Sequence, residues 1–431
     1  MRIFLYSHDT YGLGHIRRTL TIAQQLAQAV PHASQLLVTG SMQSHRFDLP
    51  QRLDYIKLPG VSKRSSGEYH SRVLALPCTT TMALRENIIF NAVQHFNPDV
   101  VLVDKAPAGV KGEMLPALRY LKVERPQTKL VLGMRDIEDD AAKVRTEWRR
   151  KGIYPLLEDV YDTILLYGSR AIYDPVREYD LSPAVEAKTI PCGYIRRSEP
   201  MLPSRQVRRD LRMQTDRLVV VMAGGGGDGF DLLGNYLHMP DGLRSRGSAL
   251  FDSLLITGPL MASAKRARLR RSAAPGQALT VMEFTPDLFS YLRAADLIVS
   301  MGGYNSICEI LSLGQRAIIV PRVKPRTEQL IRAERFAAHG LLRMIHPNDL
   351  TPARLCAEIT AAFKDRRPGS PEAIGLDMNG ALNASRVIAR LLAGEKVNEQ
   401  ATSSALPQQP LCCDDSSTPA RSMQSRALCV S

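Results

Sequence analysis

The repeating unit of this chain is a short buried strand, a glycine turn and an amphipathic helix. Its clearest instance is Leu297 to Ala333, LIVSMGGYNSICEILSLGQRAIIVPRVKPRTEQLIRA. Leu297 to Ser300 is a brief apolar run, the pattern of a parallel strand covered on both faces. Gly302 and Gly303 stand where that strand must turn, Ser306 to Leu313 has helical spacing, and Gly314 sits at a helix C-cap position. Ala317 to Val320 is the next apolar run, stopped by Pro321, and Arg326 to Ala338 is helical again.

The same alternation fills most of the chain. Arg2 to Ser7, Gln35 to Thr39, Tyr55 to Leu58, Val100 to Val103, Lys129 to Met134, Asp159 to Tyr167 and Lys188 to Pro191 predict a first set of strands. Ile16, Leu20, Ala23 and Ala27 mark the buried face of the first helix; Leu84 to Phe96 and Gly112 to Leu121 predict two more. Pro59 to Thr81 is polar, basic, irregular and long for a plain connection, which predicts a functional loop or an insertion on the side of a second substrate. Cys192 to Arg217, rich in Arg and Pro, reads as a linker with an entry helix. Leu218 to Ala223, Ser253 to Gly258 and Leu279 to Phe284 begin a second set of strands, and Arg343 to Ile345 and the helix Thr351 to Phe363 close it. The expected organisation is two α/β domains, 1–197 and 218–378, joined by a linker at 198–217. A helix at 379–393 is expected to cross back onto the first domain, and the polar Ser/Pro/Gln-rich stretch 394–431 is expected to be disordered.

Composition narrows the class. A 44% hydrophobic and 23% charged chain of 431 residues has room for about two full cores. It has no apolar run long enough for a transmembrane helix, and MRIFLYSHDT enters a strand with no signal-peptide pattern. Cys78, Cys192, Cys308 and Cys356 read as buried small residues in a reducing cytosol, and Cys412-Cys413 lie in the tail as an unanchored pair. No spacing supports a structural metal. The net charge of +13 fits an acidic partner: a nucleotide diphosphate, an anionic membrane surface or nucleic acid. No nucleic-acid-binding module is present, so no nucleic-acid partner is expected.

Candidate chemistry lies at the strand ends. Glycines there let a ligand approach backbone N–H groups, and a carboxylate one helical turn on, at Glu309, can accept from a ribose diol. Gly224 to Gly229 holds five glycines in six positions after a buried strand, a cradle for phosphate. In the first domain, Gly12 and Gly14 lead to His15, and Arg17 and Arg18 in the next turn oppose the helix dipole unless an anion or carboxylates meet them. His15 is either a general base or a helix-capping, phosphate-binding residue; His8 is a second choice as base, and Asp9 as the group orienting an imidazole. Asp104 and Asp136, at strand ends, either bind a second substrate or cap helices. The basic run KRARLRR at Lys265 to Arg271 is a solvated face or a contact for anionic lipid.

GGYNSICEILSLG and IIVPRVKPRTEQLIRAERF resemble the C-terminal nucleotide-sugar signature of family 28 glycosyltransferases, the MurG-like group. The resemblance covers roughly residues 1–392 and implies the GT-B arrangement, two Rossmann-like domains facing across a cleft. It implies that Glu309 holds the ribose of a UDP-sugar and that Gly302, Gly303, Ser306 and Gln329 contact the donor. By the same resemblance Gly224, Gly225 and Gly226 meet the pyrophosphate, Phe284 frames the uracil, and the Gly12, Gly14 loop ends in the base, His15. Three departures stand out. YGLGH stands in place of the family's commoner GGTGGH, the glycine cradle has Asp228 in place of a Ser, and Glu328-Gln329 replaces a Gln pair. The implied activity is inverting transfer of N-acetylglucosamine or a related hexose from a UDP-sugar to a lipid-linked or polysaccharide acceptor. The implied setting is the cytoplasm, peripherally at the inner face of the membrane. No cofactor is implied, nor any tightly held metal, the adjacent acids being Asp139-Asp140 and Asp414-Asp415. A nucleotide-sugar epimerase and a non-catalytic nucleotide-sugar binder are the alternatives.

Overall fold

The computed structural model describes residues 1–8, 14–63, 69–197, 201–240, 250–273, 278–365 and 369–398. Two parallel sheets form the frame. The first runs β3-β2-β1-β6-β7-β8-β9, with β1 (Arg2–Ser7), β2 (Ser34–Thr39), β3 (Leu53–Lys57), β6 (Val100–Asp104), β7 (Lys129–Arg135), β8 (Thr163–Tyr167) and β9 (Thr189–Pro191). Between β3 and β6, β4 (Val61–Lys63) and β5 (Tyr69–Ser71) pair as a separate antiparallel hairpin. The second sheet runs β12-β11-β10-β13-β14-β15, with β10 (Leu218–Met222), β11 (Asp252–Ile256), β12 (Leu279–Met282), β13 (Leu297–Ser300), β14 (Ala317–Ile319) and β15 (Arg343–Met344). Strands such as VVLVD and LVVVM are buried at every position, as a sheet covered by helices on both faces requires.

Strand order decides where ligands can go. In the first sheet the chain steps outward from β1 through β2 to β3, then returns to the other side of β1 with β6. The second sheet repeats this at β10 and β13. At each reversal the flanking connections diverge and open a crevice at the carboxyl ends of the strands. The helix Gly14–Ala29 starts at the first crevice and Tyr304–Leu313 at the second.

The two crevices face each other because the halves are sewn together. Asn305 Nδ2 donates to Gly14 O at 3.0 Å. The last described helix, Gly380–Leu392, packs along Gly14–Ala29 and buries Ala384, Val387, Ile388 and Leu391. Its entry is fixed by backbone bonds from Tyr194 N to Asp377 O (2.7 Å) and from Gly380 N to Tyr194 O (2.9 Å).

Several expectations need correction. Pro59 to Thr81 is not simply irregular: it contains the β4–β5 hairpin and the first turn of the helix Cys78–Phe96. That helix starts six residues before the expected Leu84, because Thr81 is fully buried and hydrogen-bonds Ser71, a tertiary gain that outweighs the weak helix propensity of three consecutive threonines. Asp159 belongs to a π-helical turn, Leu156–Val160, and the strand begins only at Thr163. Cys192 and Cys308 are buried as expected, whereas Cys78 and Cys356 are half-buried. Cys412-Cys413, Asp414-Asp415 and the tail from 399 onward lie outside the described residues.

Gly193 tests the seam. Its φ is +85°, and an added Cβ would lie 2.4 Å from the Asp377 carbonyl oxygen. Gly193→Ala is expected to lower the urea unfolding free energy by about 1–3 kcal/mol, since both left-handed backbone and overpacking penalise it.

Candidate functional site

A cavity of about 480 Å³ occupies the cleft where the two crevices meet. From the first half it is lined by Gly14, His15, Arg17, Arg18, Arg72 and Arg135, with the turn Gly40 to Gln43. From the second it is lined by Gly224 to Asp228, Phe284, Gly303, Ser306, Glu309, Arg322 and Gln329, among others. The structure therefore brings Gly14, His15, Gly224, Gly225, Gly226, Phe284, Gly303, Ser306, Glu309 and Gln329 around one space. Gly302 stands just behind the wall. Its φ of +78° and the Ile319 side chain 2.7 Å from a would-be Cβ show a position that requires glycine for the turn. Gly12 and Asp9 lie outside the described residues.

His15 is held by a buried ion pair. Asp104, at the end of β6, accepts from Arg18 Nε at 2.9 Å and Arg18 Nη2 at 2.7 Å. His15 Nδ1 lies 2.7 Å from Asp104 Oδ2 and 2.8 Å from Arg18 Nη2. The closer, anionic oxygen assigns the proton to Nδ1, which leaves Nε2 with a lone pair in the neutral ring. Burial pulls the His15 pKa down to about 4, against the opposing influence of Asp104. Burial alone would raise the Asp104 carboxyl, but Arg18 and the His15 hydrogen bond more than reverse this and hold it well below the usual carboxylate range. The imidazole is thus neutral and oriented at physiological pH. Arg18 is neutralised by a carboxylate, which removes its conflict with the helix dipole.

Asp104 thus acts as neither cap nor cavity wall. The available signal was strand order: β6 lies beside β1, so the residue ending β6 lies against the start of the helix that follows β1. His8 lies behind His15, ring centroids 5.5 Å apart, with a buried Nδ1 that has no hydrogen-bond partner and a pKa lowered by burial. Asp136 turns away into the seam, where Tyr194 Oη donates to it at 2.8 Å and Arg332 Nη2 approaches to 3.6 Å. Lys105, next to Asp104, is lowered to about 8 by burial and by Arg135, with Glu138 opposing from 3.5 Å.

The opposite wall explains the departures in sequence. Gly224 (φ +57°) and Gly226 (φ +92°) shape the cradle, and a Cβ on Gly226 would strike the Thr257 carbonyl oxygen at 2.2 Å. The Asp228 carboxylate is met by Arg322 Nη1 at 3.0 Å, so its charge does not stand alone against an anion. Arg322 Nη2 also donates to Glu328 Oε1 at 2.6 Å, while its backbone N–H donates to Gln329 Oε1 at 3.1 Å. Glu328 is therefore committed to an ion pair, and Gln329 faces the cavity beside it. Glu309 is 3% exposed and its Oε1 accepts from Arg197 Nη1 at 3.0 Å. Arg17, Arg72, Arg135 and Arg322 also line the cavity, Arg135 paired with Glu138 and Arg322 with Asp228 and Glu328; of the four, only Arg17 stands out along the chain. Among the described residues no cluster of His, Cys, Asp or Glu is arranged to hold a metal ion, and no helix is long and apolar enough to cross a membrane.

Comparison with known proteins bears on this arrangement. Residues 219–376 match the glycosyltransferase family 28 C-terminal domain, a stretch that takes in the second sheet from β10 to β15 and the helix Pro352–Lys364 beyond it. A UDP-N-acetylglucosamine–N-acetylmuramyl-(pentapeptide) pyrophosphoryl-undecaprenol N-acetylglucosamine transferase of Shouchella clausii is 35% identical over 83 residues, 19% of this chain and 23% of that protein. The match thus spans under a quarter of that relative's length. In overall fold the chain superposes on MurG of Acinetobacter baumannii with a TM-score of 0.50 at 15% identity, covering 91% of this chain and 99% of that one. It superposes on UDP-GlcNAc 2-epimerase of Neisseria meningitidis with a TM-score of 0.55 at 12% identity, covering 92% and 100%. The fold is GT-B.

Asp104→Ala would leave Arg18 buried, only 2% exposed at its side chain, without its carboxylate. The expected loss is about 3–5 kcal/mol of unfolding free energy, measured by chemical denaturation. Asp104→Asn, which keeps an acceptor, should lose less.

Proposed function

We propose that this chain, a MurG-like protein whose second half is a glycosyltransferase family 28 C-terminal domain, transfers a sugar from a UDP-sugar to an acceptor hydroxyl. One observation carries the reading. Two glycine turns, a buried carboxylate at Glu309 and the Asp104-oriented His15 all converge on a single cleft cavity. N-acetylglucosamine or a related hexose is the sugar on this reading, and a lipid-linked or polysaccharide chain is the acceptor.

The cavity lining and the family resemblance support the following roles. The uracil sits by Phe284 and the ribose diol meets Glu309, whose Oε1 is steadied by Arg197. The diphosphate lies between the glycine cradle, the start of the Tyr304–Leu313 helix and Arg322, where unpaired helix N–H groups and a guanidinium meet its charge. The acceptor enters from the side of Arg72 and Arg135. His15 Nε2 takes the proton from the acceptor hydroxyl as its oxygen bonds to the anomeric carbon. The bond from that carbon to the diphosphate breaks on the opposite face, UDP departs with the electron pair, and the anomeric configuration inverts.

Four measurements test this. Calorimetry with UDP should show binding that falls by about 10- to 100-fold in Glu309→Ala, as expected for hydrogen bonds to a charged group. UDP bound equally tightly by this variant would remove the ribose assignment. His15→Ala should lower kcat by about 10²–10⁴-fold while UDP binding persists. Because neutral His15 is the active form, kcat/KM should hold as pH falls and drop only near pH 4. An acid limb at 6.5 or above would speak against His15 as the base. Donor consumed without any acceptor, with a changed sugar configuration, would mark an epimerase in place of a transferase.

A further inference from the structure

Asp139 and Asp140 are adjacent acids that cap two different helices. Asp140 accepts from Lys143 N at 3.1 Å and caps the helix that follows it, Ala141–Arg150. Asp139 reaches across the cleft. Its Oδ1 accepts from Thr327 N at 2.8 Å and from Thr327 Oγ1 at 3.1 Å. Thr327 is the N-cap of the helix Glu328–Ala338, and its own side chain makes no capping bond. The carboxylate thus does for a second-domain helix what a capping-box Glu does from within, and its charge faces the positive end of the helix dipole. Arg326 reinforces the tie, with Nη1 donating to Glu138 O at 3.3 Å and Nη2 3.6 Å from Glu147 Oε2. Asp139 is almost fully buried at this junction, its side chain 8% exposed.

What the tie holds is the donor-side wall. Glu328 and Gln329 are the first two residues of the capped helix; Gln329 lines the cavity, and both are bonded to Arg322. We infer that Asp139 is a positioning residue for the nucleotide-sugar. By capping the Glu328 helix from the first domain, it sets Gln329 and Arg322 against the diphosphate only when the two halves are docked. The inference rests on the donor reading given above and adds that an acceptor-side loop controls the quality of the donor site.

The test uses the full chain and UDP as probe. Asp139→Ala is expected to weaken UDP binding about tenfold and to raise the donor KM similarly with little change in kcat, as loss of one helix cap predicts. Asp139→Asn, which keeps an acceptor for Thr327 N–H, should recover most of that loss, and Thr327→Val, which removes only the hydroxyl bond, should show a smaller one. Amide exchange at Thr327 to Gln329 should quicken in Asp139→Ala without ligand. UDP affinity unchanged in Asp139→Ala, or a loss that Asn does not relieve, would overturn the inference while leaving the donor site intact. Failure of the unaltered chain to bind UDP would defeat the donor reading itself. Unchanged exchange at the helix start would defeat the cap independently of any ligand.

Discussion

The structure turns on the burial of Asp104. A carboxylate taken out of water needs a cation and hydrogen bonds, and Arg18 supplies both with two parallel contacts. That pairing fixes the first turn of the Gly14–Ala29 helix, and through it the orientation of His15. It also places the Arg18 guanidinium 5.6 Å from the centroid of the Tyr304 ring, which Arg332 approaches from 5.6 Å as well. Tyr304 opens the helix that carries Ser306 and Glu309. One buried ion pair therefore sets both the orientation of His15 and the register in which the two halves meet.

The seam is as polar as it is apolar. A single hydrophobic cluster runs through both halves, yet the contacts that determine their relative position are charged or hydrogen-bonded: Asn305 to Gly14, Arg332 to Asp136 and Thr327 to Asp139. Apolar packing tolerates sliding; a buried hydrogen bond lost to a small shift leaves an unpaired group at a cost of about 1–3 kcal/mol. Such contacts favour a few discrete docked arrangements over a continuum.

Much of this frame was legible along the chain. Val100 to Val103 and Leu218 to Met222 are apolar without interruption, as a doubly covered parallel strand reads. The glycine turns and the position of Glu309 were equally plain, because turn chemistry and helical spacing are local. What stayed hidden depends on distance in sequence. Asp104 is 89 residues from His15, and the Asp139–Thr327 contact spans 188. Arg72, Arg135 and Arg322 look like ordinary surface cations until the sheets bring them to one cavity. The early start of the Cys78–Phe96 helix was hidden for the same reason, since Thr81 gains its place only from Ser71 on the hairpin.

The Gly380–Leu392 helix has a consequence for how the chain is made. It covers the Gly14–Ala29 helix, so the first half completes its own outer layer only with residues that leave the ribosome hundreds of positions later. Until then the apolar flank of the Gly14 helix has no cover, and the nascent first half is exposed to wrong partners for the whole synthesis of the second. The late helix makes this architecture a single folding unit in time, even though it has two sheets in space.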